Sequence, residues 1–291
     1  MLTNTFCHIP GIGEKTERNL WSAGLTSWDC VLRQMPGRWV RDIQESVRHF
    51  EKRNPAYFGE NLPTNQHWRL YWDFRDSCAF MDIETTGLFG FSEITTITLY
   101  DGRAIRCYVN GDNLDEFPEA VQEYSLLVTY NGKSFDVPFI ERYFRLRLSQ
   151  AHIDLRYPLK SLGLKGGLKG CEKQLGMTRP GLENVDGFLA VLLWKEFKKG
   201  NAKALETLLA YNVQDTLALH ALMVHTHNEK VKATPFARNY SLPAPELPTP
   251  AFKADPETVQ RVLQLAFIPP GAVLIRSSSQ PRNAANSGQG T

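Results

Sequence analysis

The pattern of apolar and polar positions is most telling at residues 79–88, AFMDIETTGL, where a hydrophobic strand carries two carboxylates into a Thr-Thr-Gly turn. Side chains two apart on a strand share a face. Asp82 and Glu84 therefore project together, while Met81 and Ile83 turn to the other side and are available for a core. Two neighbouring acids on one face repel. In a largely apolar strand the pair is costly unless a cation or a proton neutralises it.

Upstream, Pro10-Gly11-Ile12-Gly13 reads as a turn, followed by a helix with Leu20 and Trp21 facing inward and Gly24 as its stop. Leu25, Trp28 and Val31 suggest a second helix. In 38–76, RWVRDIQESVRHFEKR reads as a helix and NPAYFGENLP as a loop. A further helix from about Asn65, carrying Trp68, Leu70, Tyr71 and Phe74, feeds the central strand. The Arg and Lys residues here read as a solvated face.

Downstream, FSEITTITLYDG and RAIRCYVNG are β-rich and are joined by Asp101-Gly102, a hairpin signal. A helix over 115–123, a buried strand SLLVTYN, a helix DVPFIERYFRLRL and a short strand HIDL at 152–155 follow. Residues 156–173 read as a basic, glycine-rich loop, after which the chain is helical to about His227. Strands first, then strand–helix alternation, predict an α/β fold with a mixed sheet flanked by helices. Prolines make 235–250 an extended linker, Asp255-Pro256 start a short amphipathic helix through Leu265, and SSSQPRNAANSGQGT is expected to be disordered. The expected division is a helical region at 1–76, a main domain at 77–228, and a linker, helix and tail at 229–291.

Composition narrows the function classes. The 291 residues can bury a sizeable core, and a net charge of +2 is too small to identify a nucleic-acid partner by itself. The five cysteines are far apart and form no CxxC pair, which speaks against a zinc site or a disulfide framework and for a reducing cytoplasm. The start MLTNTFCHIP lacks the pattern of a signal peptide, and the apolar run at 188–194 is too short to span a bilayer.

Two further elements carry chemistry. In TYNGKSFDVPF, at 129–139, a buried strand ends at Asn131 and a helix opens near Asp136, which taken alone also suits helix capping. In LLAYNVQDTLAL, at 208–219, Tyr211 and Asp215 lie four apart on one helical face with Leu208, Ala218 and Leu222. An aspartate in such a stripe is expensive to bury without a partner. Taken alone, the pair also reads as a core tyrosine with a boundary aspartate.

Taken together, the order DxE, then N-x-x-x-x-D, then Y-x-x-x-D resembles the DEDD exonucleases of the RNase H-like superfamily, in the subgroup with a tyrosine in its third motif. The superfamily includes the proofreading domains of DNA polymerases. Within it the chain is similar to the YprB-like family of stand-alone predicted exonucleases, over about residues 77–225. Ala210 stands where a related subgroup has histidine. The resemblance implies metal acids Asp82, Glu84, Asp136 and Asp215, and Tyr211 positioning a water. It also implies contacts from Thr85, Thr86, Leu88 and Asn131 to a terminal nucleotide, although all four also suit ordinary turns.

Elementary chemistry fits that reading. Two divalent ions about 4 Å apart can activate a water and stabilise a leaving alkoxide, and carboxylates can hold both. Oxygen-only ligands favour Mg²⁺ or Mn²⁺ over zinc. Asp82 would bridge the ions, Glu84 and Asp215 would complete the water-activating one, and Asp136 would serve the second. A tyrosine with an ordinary pKa of about 10 is a poor general base.

The segment 156–173 adds Lys160, Lys165 and Lys169, suited to a nucleic-acid backbone as well as to a flexible surface loop. Arg179 is a weaker candidate for a phosphate contact, and Asp154 reads as structural. The stretch 9–31 resembles the hairpin of helix-hairpin-helix modules, with Gly11, Gly13 and Lys15 as candidate backbone contacts; a capped helical turn is the other reading. The expected function is a 3′→5′ exonuclease on the single-stranded 3′ end of DNA or RNA. A catalytically silent nucleic-acid-binding protein, a structure-specific endonuclease and a polymerase-associated proofreading unit are its rivals.

Overall fold

In the computed structural model, residues 1–35, 37–87 and 92–266 are described. Five strands form one sheet: β1 (Cys78–Thr85), β2 (Ile94–Tyr100), β3 (Ile105–Val109), β4 (Leu126–Thr129) and β5 (Ala151–Asp154). Their spatial order is β3-β2-β1-β4-β5. The first three strands pair antiparallel, and β4 and β5 continue parallel to β1, so the sheet is mixed as expected. β1 is central. Asp82 stands opposite Thr98 and Glu84 opposite Thr96, and the register shifts between Glu84 and Thr85. Such bulges re-aim side chains at the end of a pairing.

The period of two divides the faces as the sequence predicts. Ala79, Met81 and Ile83 join Ile97, Leu99 and Leu127 on one side. Phe80, Tyr100, Leu126 and Val128 belong to the core on the other side.

Helices cover both faces. The N-terminal region supplies α1 (Glu14–Ser22), α2 (Trp28–Gln34), α3 (Val40–Glu51), α4 (Pro55–Asn61) and α5 (Leu70–Phe74). The loop expected at 54–63 is largely α4. Asn54 Oδ1 accepts the Ala56 N–H at 3.2 Å, and Pro55 sits in the first turn, where no backbone donor is needed. Next come α6 (Phe117–Ala120) and α7 (Asp136–Phe144); Phe117, Phe139 and Ile140 pack under β1.

The basic segment is also not a loop. It forms α8 (Arg156–Ser161) and α9 (Gly167–Gln174). Leu164, Leu168, Cys171 and Leu175 recur at helical spacing among the glycines and pack on the core. Then come α10 (Gly187–Lys198), the 31-residue α11 (Ala202–Lys232), α12 (Ala237–Tyr240) and α13 (Pro256–Ala266). α11 crosses β1 and β2, while α13 packs on α10 and α11. The stretch 235–250 is not extended throughout, since α12 lies within it and Asn228 bonds both the N–H and the C=O of Leu242 in its middle. The tail expected to be disordered lies outside the described residues. Among the described residues no helix is long and apolar enough to cross a membrane.

One buried ion pair ties the N-terminal turn to the connector before β1. Arg69 Nη2 donates to Glu17 Oε2 at 2.7 Å and Nη1 to Oε1 at 2.9 Å. Glu17 also accepts the Phe6 N–H at 2.6 Å. Both side chains are almost fully buried, so removing one partner strands the other charge. Arg69→Met should therefore cost about 3–5 kcal/mol in urea unfolding. A loss under about 1 kcal/mol would remove the pair from the list of interactions that hold this region.

Candidate active site

Two turns of backbone geometry bring the acids together. Asp82 and Glu84 leave the same face of β1, beside the bulge that redirects the chain into Thr85–Gly87. Thr85 Oγ1 donates to Gly87 O at 2.7 Å, and the Glu93 N–H donates to Thr86 Oγ1 at 2.9 Å, which fixes this turn. Asp215 arrives from α11. Carboxylate oxygens of Asp82, Glu84 and Asp215 lie within 4.8 Å of one another, the one such group of potential metal ligands among the described residues.

Asp136 stands outside that triplet but is close enough to raise the Asp82 and Glu84 pKa values. It is the first residue of α7, and Phe135, not Asp136, is the N-cap. The loop before it is held by buried Asp154, whose carboxylate accepts the N–H groups of Asn131 (2.7 Å), Lys133 (3.1 Å) and Arg156 (3.1 Å). Gly132 has no room for a side chain, because a Cβ would meet Thr129 Oγ1 at 2.1 Å.

The electrostatics are those of an under-neutralised site. Burial, then Asp215, Glu84 and Asp136, push the Asp82 carboxyl well above its ordinary range. Burial, then Asp215 and Asp136, do the same to Glu84. Burial raises Asp136 to about 7, against hydrogen bonds from the backbone of Asp136 and Ile83. Asp215 is raised by burial and held back by Arg179, Lys169 and a hydrogen bond with Tyr211. Tyr211 is pushed far up by burial and by the acids around it.

Two cations from the α9 region offset part of this charge. Half-buried Lys169 sits 4.8 Å from the Tyr211 ring centroid and donates to Val185 O. Arg179 is buried and ion-paired to Asp215, with its other edge on Glu172 at 2.5 and 2.7 Å. Sequence pattern gives Arg179 only a weak role and Glu172 none. The i+3 spacing of Lys169 and Glu172, on a segment whose glycines suggest a loop, is the signal that points to them. Asn212 is also missing from the expected set. It is fully buried and donates from Nδ2 to Asp82 Oδ2 at 2.7 Å.

The remaining candidates divide. Thr85 and Thr86 line a cavity of about 430 Å³ with Glu84, Phe135, Gly187 and Phe188. Phe188 is 59% exposed there. Asn131, with φ of 64°, accepts from Arg156 Nη1 at 2.5 Å and closes its own loop. Leu88 lies outside the described residues. Lys160 and Lys165 are exposed, and of the three expected lysines Lys169 is the one whose charge is felt by Glu84 and Asp215. Gly11 and Gly13 line a shallow cavity with residues 60–63, away from the acids, and Lys15 is exposed nearby in α1.

Oxygen-only donors, three of them converging, and buried negative charge with too little compensation fit a hard divalent cation. The chain is 30% identical over 175 residues to the uncharacterized protein YprB of Bacillus subtilis, a match covering 52% of this chain and 42% of that protein. The chain thus spans less than half the length of that curated relative. A family B DNA polymerase from Pyrobaculum calidifontis superposes over 57% of this chain and 27% of its own, with 15% identity and a TM-score of 0.40. Residues 79–227, which hold all of the sheet but Cys78, all four acids and Tyr211, match the RNase H superfamily, and the chain belongs to that superfamily.

Proposed function

We propose that the chain is a metal-dependent nuclease of the DEDD type with a tyrosine in its third motif, a 3′→5′ exonuclease acting on DNA or RNA. The observation that carries this reading is the convergence of Asp82, Glu84 and Asp215 within 4.8 Å, with Asp136 and Tyr211 beside them. Direction of cutting and release of 5′-mononucleotides rest on the resemblance of the three motifs.

Asp82, Glu84, Asp136 and Asp215 would hold two Mg²⁺ or Mn²⁺ ions, which when bound activate a water and neutralise the leaving alkoxide. The protein's own groups do the positioning. In the metal-free chain burial and the neighbouring acids raise Tyr211, which favours the protonated hydroxyl. It therefore orients a water by hydrogen bonding and does not remove its proton. Lys169 offers an ammonium to a substrate phosphate. Phe188 and Phe135 line the cavity beside Glu84 and supply aromatic surface suited to a nucleobase, and Thr85 and Thr86 offer hydroxyls. A cavity of about 430 Å³ suits the end of a single strand better than a duplex. The glycine turn with Gly11, Gly13 and Lys15 is a second, more distant place for backbone contact.

The test is incubation of 5′-labelled DNA and RNA oligonucleotides, single- and double-stranded, with Mg²⁺ or Mn²⁺. A ladder shortening from the 3′ end is expected. Binding without shortening would make the chain a silent binding protein, and an internal cut would make it an endonuclease.

Asp82→Asn should abolish cleavage without unfolding the protein. Tyr211→Phe should slow it about 10²-fold while leaving Mn²⁺ affinity unchanged; an equal loss of affinity contradicts the role given to the hydroxyl.

The raised carboxyls also set a pH dependence. Between the ordinary 3.8 and about 7, Asp136 holds more proton in the folded than in the unfolded chain. Metal-free stability should therefore fall as pH rises through that window. Asp136→Asn should be more stable than wild type by about 2–4 kcal/mol at pH 8, with the gain fading towards pH 4, measured by urea unfolding without metal. No gain at pH 8 would mean that the acids do not strain the metal-free fold.

A further inference from the structure

Asn212 lies between the tyrosine and the aspartate of the third motif, inside α11, and is fully buried. Its amide is used at both ends. Thr98 Oγ1 donates to Asn212 Oδ1 at 2.7 Å and Thr96 Oγ1 donates to the same oxygen at 3.1 Å. Asn212 Nδ2 donates to Asp82 Oδ2 at 2.7 Å. Thr98 and Thr96 are the direct cross-strand partners of Asp82 and Glu84. The two threonines and the two acids thus form a two-by-two block on one face of β1 and β2, and the asparagine lies over it.

The direction of the amide is forced once Asp82 ligates a cation, because a metal-bound carboxylate is ionised. An ionised carboxylate only accepts hydrogen bonds, so the NH₂ group must face Asp82 and the carbonyl must face the hydroxyls. Cys107 Sγ lies 3.7 Å from Thr98 Oγ1, which extends the chain to β3. With its carbonyl taken by two donors, Asn212 is not free to be a metal ligand. Aspartate in its place would set a further negative charge against Asp82, and leucine would leave two buried hydroxyls and one carboxylate oxygen without their partner.

We propose that Asn212, clamped by Thr96 and Thr98, is a positioning residue. It takes one oxygen of Asp82 and so sets the angle at which the carboxylate presents the other oxygen to a divalent ion. The proposal rests on the metal-nuclease reading above. Its reach is wider than one residue, because it gives β2 and its T-x-T spacing a part in the site.

The experiment uses the full chain, wild type, Asn212→Leu, Thr98→Val and Thr98→Ser. Mn²⁺ affinity is measured by calorimetry, kcat and KM on a single-stranded oligonucleotide at saturating Mn²⁺, and metal-free Tm by thermal unfolding. Loss of a group that orients a metal ligand typically costs about 10–100-fold in metal affinity or activity. Asn212→Leu should lose that much in Mn²⁺ affinity and in kcat, with KM unchanged. Thr98→Val should move in the same direction by less, and Thr98→Ser, which keeps the hydroxyl, should match wild type. A fall in Tm with Mn²⁺ affinity and kcat unchanged would overturn the proposal and make Asn212 a packing residue. Should Asn212→Leu fail to fold, the Thr98→Val and Thr98→Ser pair decides on the same criteria. A wild type that binds no Mn²⁺ overturns the metal-nuclease reading itself, and the positioning role with it.

Discussion

Buried carboxylates repel one another with little water to screen them, and at the end of β1 three of them and the half-buried Asp82 are held close. Asp82, Glu84, Asp136 and Asp215 all have pKa values driven upward by burial first, then Asp82 and Glu84 by the charge of the other acids and Asp136 by Asp154 and Asp215. A fold that relaxed would separate them. Keeping them together requires rigid supports on every side, and much of this chain supplies those supports.

Three devices anchor the four acids. Asp82 and Glu84 are fixed by β1 and by its pairing with Thr98 and Thr96 on β2. Asp136 is placed by a short loop closed over Asp154, with a glycine where nothing larger fits. Asp215 rides on α11, a helix long enough to carry Tyr211, Asn212 and Asp215 across the sheet while its far end packs on the N-terminal region. Positive charge comes from α9 and the loop after it, where Glu172 holds Arg179 against Asp215. A buried arginine with two acidic partners is better compensated than one with a single partner, and it offsets part of the charge a metal would otherwise meet.

Much of this was legible in the residues. The period of two around Asp82 and Glu84 separates a core face from an acid face, and the structure keeps that division. The helical spacing of Tyr211 and Asp215 survives in α11, and the order of strands and helices yields the mixed sheet. The misreadings share one cause. Glycine and proline suggest loops at 54–63 and 156–173, where Asn54-Pro55 starts a helix and Leu168, Cys171 and Leu175 pin another to the core. Local propensity lost to burial of an apolar stripe.

Sequence by itself determined the strands, the long helix and the identity of the acids, because these depend on local periodicity and on residue chemistry. Only the tertiary structure decided which polar groups meet. That Arg179 lands on Asp215, that Lys169 but not Lys160 or Lys165 acts on the acids, and that Asn212 joins Asp82 to two threonines over a hundred residues away are all contacts between distant segments. No local pattern encodes them, since a buried donor finds its acceptor only once the layers have packed.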